Sequence, residues 1–336
     1  MNRYLLLALL PILLHCSDGT PVEDNLASDI IPFPAIRDSI PYSKIGIGKI
    51  VFERIGPENN NYSGVCVLDS ENQNAIGFQT ACDAPSISPS GNRVAFSENS
   101  GTSPWSLDIY VSSLDGTSKK NISNIAGQDR CPNWSYDGSN VYFWVINQVT
   151  NYALLYRIKP DNLSDKEFIH EFTLRKPSTP FSESVDNKLI YSDGGTIYLL
   201  DNSEVKVFLA VDFEQWGSIY TPCWSPDGKL IAFLQAKKKV VSNSILNFGG
   251  KVMLYDPGSN VLTTVYEWTC GDRQKEWYGF NTLSLCWSPD GTRLAFNQLK
   301  EGYESHIYIV NKDGTGLTQI TNAPGVCDRS VTWSRD

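Results

Sequence analysis

Short apolar runs alternate with polar turns along the chain from residue 49 onward. The clearest pattern is a phrase that starts with a serine, continues with turn-forming residues and ends in a strand-like apolar run. Its best copies are SPSGNRVAF from Ser88, SYDGSNVYF from Ser135, SPDGKLIAF from Ser225 and SPDGTRLAF from Ser288. Asp-Gly and Asn supply the positive φ angles of a tight turn, so each copy predicts a hairpin of two antiparallel strands.

Each hairpin is followed by a second strand pair with its own turn. An apolar strand over residues 108–111 precedes Asp115-Gly116, and residues 307–310 precede Asp313-Gly314 in the same way. A polar, Thr-rich strand comes next, as at residues 317–321. Each unit is therefore predicted to contain four antiparallel strands.

The spacing of the phrase predicts the number of units. With two weaker copies, SVDNKLIY and the final WSRD, the anchor serines stand at positions 88, 135, 184, 225, 288 and 334. The intervals of 47, 49, 41, 63 and 46 residues are typical of β-propeller blades. Residues 49–53 match a second strand without a first, and residues 331–334 match a first strand without the rest. We expect the last strand to complete the first blade, which closes a six-bladed ring without an open edge.

The repeated residues carry a resemblance. The W-S-P-D-G phrase, the I-Y-V strand and the D-G-x-x-x-x-L-T segment together resemble the TolB-like, WD-type propeller repeat over residues 49–336. The resemblance implies an all-β fold, a six-bladed propeller of four-stranded antiparallel blades that acts as a binding scaffold. TolB itself has a separate amino-terminal domain, and the 33 residues at positions 16–48 are too few to form one. A role in the Tol system is therefore not expected.

The first residues have the pattern of an export signal. Arg3 precedes an apolar run over residues 4–14, about half the ~20 residues that a membrane-spanning helix needs. The stretch Leu13-Leu14-His15-Cys16 resembles the lipobox of bacterial lipoproteins, although His15 is larger than the residue usual before the cysteine. We expect a signal peptide at residues 1–15, lipidation of Cys16 and a flexible tether at residues 16–48. The alternative is ordinary secretion, in which Cys16 has no special role.

The lipobox implies a lipoprotein of the bacterial cell envelope, at the outer membrane, with its body facing the periplasm or the surface.

The composition excludes a disordered chain and a nucleic-acid-binding protein. Charged residues make up 19% and aromatic residues 12% of the chain, which is typical of a folded protein. The net charge of −9 offers no basic surface for a nucleic acid. We expect a monomer that binds a protein partner and is attached to the membrane through Cys16.

Two faces of the predicted ring differ in their loops. The Ser-Pro-Asp-Gly turns are short and alike and lie on one side, here named the turn face. The other side, the loop face, collects the long and variable connections, and these carry large aromatic residues. Loops on a rigid scaffold often bind partners, and aromatic side chains often anchor protein contacts. The predicted partner-binding residues are Trp105, Trp216, Tyr220, Trp268, Trp277, Tyr278 and Tyr303.

The alternative is that these aromatic residues are buried by their own loops, because Trp is highly buried on average. A different set precedes the anchor serines at one repeated position and is expected to pack between blades. Its members are Trp134, Trp224, Trp287 and Trp333.

Three acidic residues recur just before the first strands of their units, namely Asp83, Asp129 and Asp328. They could form a ring at the channel mouth that holds a cation, but a loop-capping role is the preferred interpretation. Outside the signal segment the histidines are His170 and His306, both in outer strands, and no G-x-S-x-G motif occurs. We therefore expect no enzyme, metal or cofactor. The alternative function is a metal-dependent lyase or hydrolase with its site in the central channel.

The eight cysteines fit an oxidising compartment and have no spacing typical of zinc ligands. If Cys16 carries lipid, seven remain and at least one is unpaired. The sequence leaves the pairing open, with Cys82 and Cys327 as a first hypothesis.

Overall fold

The computed structural model describes residues 36, 38–56, 63–80, 82–101, 106–125, 127–146, 150, 152–172, 180–210, 217–241, 244–270, 283–300 and 304–336. For residues 79, 82, 83, 237–241 and 244–248 only the backbone is described. Cys16, Trp105, Trp216, Trp277, Tyr278 and Tyr303 lie outside the described residues. Within the described part of the chain, no helix has the length and hydrophobicity needed to cross a bilayer.

The described elements are one short helix and a long series of strands. The first half contains α1 (Tyr42–Ile45), β1 (Lys49–Ile55), β2 (Ser63–Asp69), β3 (Asn74–Gln79), β4 (Cys82–Ile87), β5 (Arg93–Asn99), β6 (Leu107–Ser113), β7 (Lys120–Asn121), β8 (Gln128–Trp134), β9 (Val141–Ile146), β10 (Ala153–Lys159) and β11 (Asn162–Phe172). The second half contains β12 (Ser182–Glu183), β13 (Leu189–Ser192), β14 (Thr196–Asp201), β15 (Glu204–Ala210), β16 (Ile219–Trp224), β17 (Ile231–Val241), β18 (Ser244–Asp256), β19 (Val261–Thr269), β20 (Leu285–Trp287), β21 (Arg293–Leu299), β22 (Ser305–Asn311), β23 (Thr318–Gln319) and β24 (Cys327–Trp333).

The strands pair in antiparallel groups of four. Group 1 contains β24, β1, β2 and β3 in that order. Groups 2 to 6 follow in chain order, and each contains four consecutive strands. They are β4–β7, β8–β11, β12–β15, β16–β19 and β20–β23. The predicted all-β class and the four-stranded antiparallel unit are confirmed.

The anchor serine and the aspartate two residues later build the turn between the first two strands of a group. In group 6 the Ser288 hydroxyl accepts a bond from the Arg293 amide at 2.9 Å and donates to Asp290 at 2.5 Å. Asp290 also accepts from the amide of Thr292 at 3.0 Å, and Gly291 has a φ of +65°, which the turn requires. The phrase is therefore structural, as its uniformity predicts.

The end of the chain lies beside its first strand. Ile50 is opposite Trp333 and Arg54 is opposite Asp328 in the pairing of β1 with β24. The Ser334 amide continues this pairing and donates to the carbonyl of Lys49 at 2.9 Å.

Six clusters of buried hydrophobic side chains each join two successive groups. Phe96 of group 2 packs with Val51 of group 1, for example, and Ile309 of group 6 packs with Phe52 of group 1. The repeated tryptophans, Trp134, Trp224, Trp287 and Trp333, lie in or against these clusters. Their predicted role in packing between groups is confirmed.

Hydrogen bonds also link the first strand of every group, here named the inner strand, to its neighbours. The inner strands are β24, β4, β8, β12, β16 and β20 in group order. The bonds join Thr332 to Ile87 (3.1 Å), Ser86 to Asn133 (3.0 Å), Asn133 to Phe181, Ser182 to Trp224 (3.0 Å), Cys223 to Trp287 (3.3 Å) and Ser284 to Val331 (2.7 Å).

Residues 38–48, here named the strap, pack along the boundary between groups 6 and 1. Ile45 of α1 is fully buried in the cluster of that boundary. At one end the Asp38 carboxylate pairs with Arg54, and at the other the Arg293 guanidinium donates to the carbonyl of Lys44 at 2.7 Å. The sequence predicts a flexible tether up to residue 48. The packing of the strap corrects this prediction for residues 38–48. No repeat marks the strap, because its apolar residues serve only this boundary.

Candidate functional site

A cavity of about 470 Å³ lies among the inner strands and is lined by residues of all six groups. Its size is typical of ligand pockets. Its wall includes the edges of aromatic residues such as Trp134 and Trp287, together with hydroxyl and amide side chains such as Ser86 and Asn133.

Several inner strands carry the same backbone irregularity where they line the cavity. Ala84, Cys131, Thr221 and Ser330 have φ angles between 43° and 55°, and in β4, β8 and β16 the pairing register shifts at this point. In three of these strands a proline follows directly, and proline has no N–H for the ladder. The bulge lets the next side chains, among them Ser86 and Asn133, bond to the neighbouring inner strand.

Charge in the described lining is mainly cationic. Its carboxylate, Glu183, is hydrogen-bonded within the protein at both oxygens, which accept the Tyr136 amide at 2.6 Å and the Tyr142 hydroxyl at 2.7 Å. The described lining also contains the arginines Arg130 and Arg335 but no histidine. This arrangement can bind a ligand.

Arg335 lines the cavity together with residues of the turns, such as Pro89 and Pro226, and this end of the cavity is here named the floor. Its guanidinium carbon lies 3.6 Å from the centre of the Tyr136 ring, and its Nη1 donates to the Tyr136 carbonyl at 2.6 Å. The Tyr136 hydroxyl reaches across to group 5, where it donates to the carbonyl of Pro226 at 3.0 Å. Arg335 lines the cavity, whereas Tyr136 lies behind it.

Sequence reasoning missed Arg335 and Tyr136, although the sequence holds a signal for both. Each stands directly after an anchor serine, where three of the four best copies of the phrase have proline. A long side chain at this position of the turn can reach over the end of the cavity, which a proline ring cannot do.

Asp328 lies at the centre of a buried ion-pair network. Arg54 donates to both of its carboxylate oxygens, at 2.7 and 2.9 Å, and also to Asp38 at 2.7 Å. Burial acts to lower the pKa of Arg54, but the two carboxylates outweigh it and raise the pKa above its usual range. His306 also lies next to Asp328, with its Nδ1 3.8 Å from the Asp328 carboxylate. The sequence did not indicate this contact. These side chains are at most 3% exposed, so the network is structural.

Asp129 is fully buried and has no ion-pair partner among the described residues, although Lys166 acts on it electrostatically. Among the described residues, neither of its carboxylate oxygens has a well-formed hydrogen bond. Burial raises the pKa of Asp129 to about 7; the nearby Ser123 hydroxyl opposes the rise in part, and the Asp108 carboxylate adds to it. Only the backbone of Asp83 is described, so a ring of these acids remains a prediction. The described residues contain no group of three or more His, Cys, Asp or Glu that could hold a metal ion.

The described members of the predicted aromatic set are core residues in the structure. Tyr220 is 7% exposed and Trp268 is 5% exposed, both in the cluster between groups 5 and 6. The Trp268 ring packs at a tilt against Phe296, with the ring centres 5.7 Å apart, and lies against Gly250, where a Cβ would come within 2.5 Å of it. Partner binding by the rest of the set stays a prediction, as does a bond between Cys82 and Cys327, since the Cys82 side chain is not described.

The chain resembles solved β-propellers in fold. TolB from Acinetobacter baumannii is 18% identical, with a TM-score of 0.61, over 85% of this chain and 66% of TolB. A putative TolB from Agrobacterium tumefaciens is 13% identical, with a TM-score of 0.52, over 86% of this chain and 99% of that one. An oligogalacturonate lyase in complex with manganese is 10% identical, with a TM-score of 0.50, over 82% and 79% of the two chains. The predicted TolB-like propeller resemblance is confirmed at the level of the fold.

Sequence comparison reaches less far. No family model matches the chain. An uncharacterized peptidase of Bacillus subtilis, YuxL, is 26% identical over 133 residues, which are 39% of this chain. The matched part spans only 18% of that peptidase.

Proposed function

We propose that the six strand groups are the blades of a closed propeller, with β24 completing the first blade. Three observations support this arrangement. Hydrogen bonds link each inner strand, or the residue directly before it, to the next, including Ser284 before β20 to Val331 of β24. A hydrophobic cluster joins every pair of successive groups, including groups 6 and 1. One cavity is lined by all six groups.

We further propose that this propeller is an exported, lipid-anchored scaffold that binds a protein at the cell envelope without catalysis. The observation that carries the proposal is the chemistry of the central cavity. In its described lining both oxygens of the carboxylate accept hydrogen bonds from the protein, and the remaining charge belongs to arginines. Such a lining favours binding over bond cleavage. The partner is expected to approach from the loop face, because the side chains of Arg335 and Tyr136 cover the turn end of the cavity.

The alternative, a metal-dependent lyase or hydrolase, needs Asp83, Asp129 and Asp328 to converge on one ion. Arg54 engages both carboxylate oxygens of Asp328, which leaves that residue unsuited as a ligand. The likeness to a lyase concerns the fold alone.

Site-directed photo-cross-linking in intact cells tests the scaffold proposal. A photoreactive residue at Trp277 probes the loop face, and one at Lys229, whose side chain is 79% exposed in a turn of the turn face, is the matched control. We expect a discrete protein adduct from position 277 and none from position 229. Equal adducts from both positions, or none from a series of loop-face positions, would contradict the proposal.

The membrane anchor has its own test. Growth with a clickable fatty acid should label the wild-type protein and leave Cys16→Ala unlabelled. Equal labelling of both proteins, or labelling of neither, would exclude lipidation at this cysteine.

A further inference from the structure

The residues directly after the six anchor serines lie in the turns between the first two strands of each group, and four of them, Arg335, Pro89, Pro226 and Pro289, line the cavity. In group order they are Arg335, Pro89, Tyr136, Val185, Pro226 and Pro289. Three are prolines, which keep the turn short. The two long side chains, Arg335 and Tyr136, come from groups 1 and 3 and meet over the cavity end. The bond from Tyr136 to Pro226 holds the ring in place beneath the guanidinium.

Arg335 has donors to spare in this position. A guanidinium carries five N–H groups, and in the described structure only Nη1 has a side-chain hydrogen bond, to the Tyr136 carbonyl. No described carboxylate forms an ion pair with Arg335, and both oxygens of nearby Glu183 accept hydrogen bonds from tyrosines. Burial lowers the pKa of Arg335, and electrostatic interactions with Tyr136 and Glu183 oppose this only in part. A largely buried cation therefore faces the cavity with incomplete compensation.

We propose that the floor of the cavity is a binding site for a carboxylate, held by the free edge of the Arg335 guanidinium. The planar fork of arginine matches a carboxylate with two parallel hydrogen bonds. The Tyr136 ring stacks on one face of the guanidinium and holds it in position. The volume of about 470 Å³ admits a small organic acid or the end of a peptide chain. The inference rests on the proposed function in taking this cavity as a binding site.

Thermal shift titration with N-acetylglycine tests the site, and N-acetylglycinamide is the neutral counterpart. Sodium chloride keeps the ionic strength equal in all samples. We expect the acid alone to raise the melting temperature in a saturable way. Arg335→Gln should weaken binding at least tenfold, and Arg335→Lys, which keeps the charge but not the fork, should weaken it less. Arg93→Gln is the matched control, because Arg93 also stacks on an aromatic ring, Trp134, but does not line the cavity.

Equal effects of the acid and the amide, or unchanged binding by Arg335→Gln, would overturn the site. An equally strong effect of inorganic phosphate would overturn its assignment to carboxylates. If Arg335→Gln does not fold, NMR spectra of the arginine Nε–H groups in the wild-type protein provide the test. The signal of Arg335 is identified by its loss in Arg335→Lys. It should shift when the acid is added and not when the amide is added, and the absence of that shift contradicts the site. Loop-face cross-linking that persists without carboxylate binding would refute this inference and leave the scaffold proposal intact.

Discussion

Removal of the negative charges of Asp129 and Asp328 is expected to shift stability in opposite directions at pH 8, although both residues hold the same position of the repeat. Asp328 is opposite Arg54 on the neighbouring strand, and its carboxylate pairs with that guanidinium. The residue opposite Asp129 is Val145, which offers no charge. The strand partner therefore decides whether the buried acid stabilises the fold.

The size of the Asp129 effect follows from its pKa, about 7 in the folded protein against an ordinary value of 3.8. Because the folded state holds the proton more tightly, ionisation favours unfolding. The penalty is absent below pH 4, grows between pH 4 and 7, and is constant above. A rise from 3.8 to about 7, at about 1.4 kcal/mol for each pH unit, amounts to roughly 4 kcal/mol.

The assay is urea unfolding of wild type and Asp129→Asn, followed by tryptophan fluorescence between pH 4 and 8. The stability of Asp129→Asn relative to wild type should increase by about 4 kcal/mol over this range. A constant cost of burying the asparagine amide cancels in this difference. Asp328→Asn is the matched control and should lose about 3 kcal/mol at pH 8, because it breaks a buried ion pair. A pH-independent difference for Asp129→Asn would refute the reasoning.

Three further substitutions test the packing by urea unfolding. Trp268→Ala should cost about 3 to 5 kcal/mol, since it empties a core site; a loss of partner binding at unchanged stability would instead support the original binding role. Ile45→Ala should cost about 2 to 5 kcal/mol, whereas a flexible strap predicts no change. Tyr136→Phe should cost about 1 kcal/mol through its lost bond to Pro226, and a neutral result would show that this bond does not hold the ring.

The repeat made the strand groups predictable because its turn chemistry is local. The hydroxyl of Ser288 and the carboxylate of Asp290 satisfy amides within the same nine-residue phrase. A reader of the sequence can therefore recognise each hairpin without knowing its neighbours.

The site was less predictable because its contacts join distant groups. Arg335 meets a ring 199 residues away in sequence, and this depends on how the groups are arranged around the cavity. The different surroundings of Asp129 and Asp328 likewise depend on the strand opposite. Trp268 stands next to a long loop in the sequence, and only its packing against Gly250 in the structure assigns it to the core.

The course of the strap determines how the protein would respond to mechanical force. Tension on the chain before Asp38 would first load the ion pair with Arg54 and then peel the strap away, one contact at a time. Beyond it lies β1, which is bonded on one side to β2 and on the other to β24. A pull along β1 shears both ladders together, so many hydrogen bonds share the load. The strap would thus yield at low force and absorb extension before the propeller itself is strained.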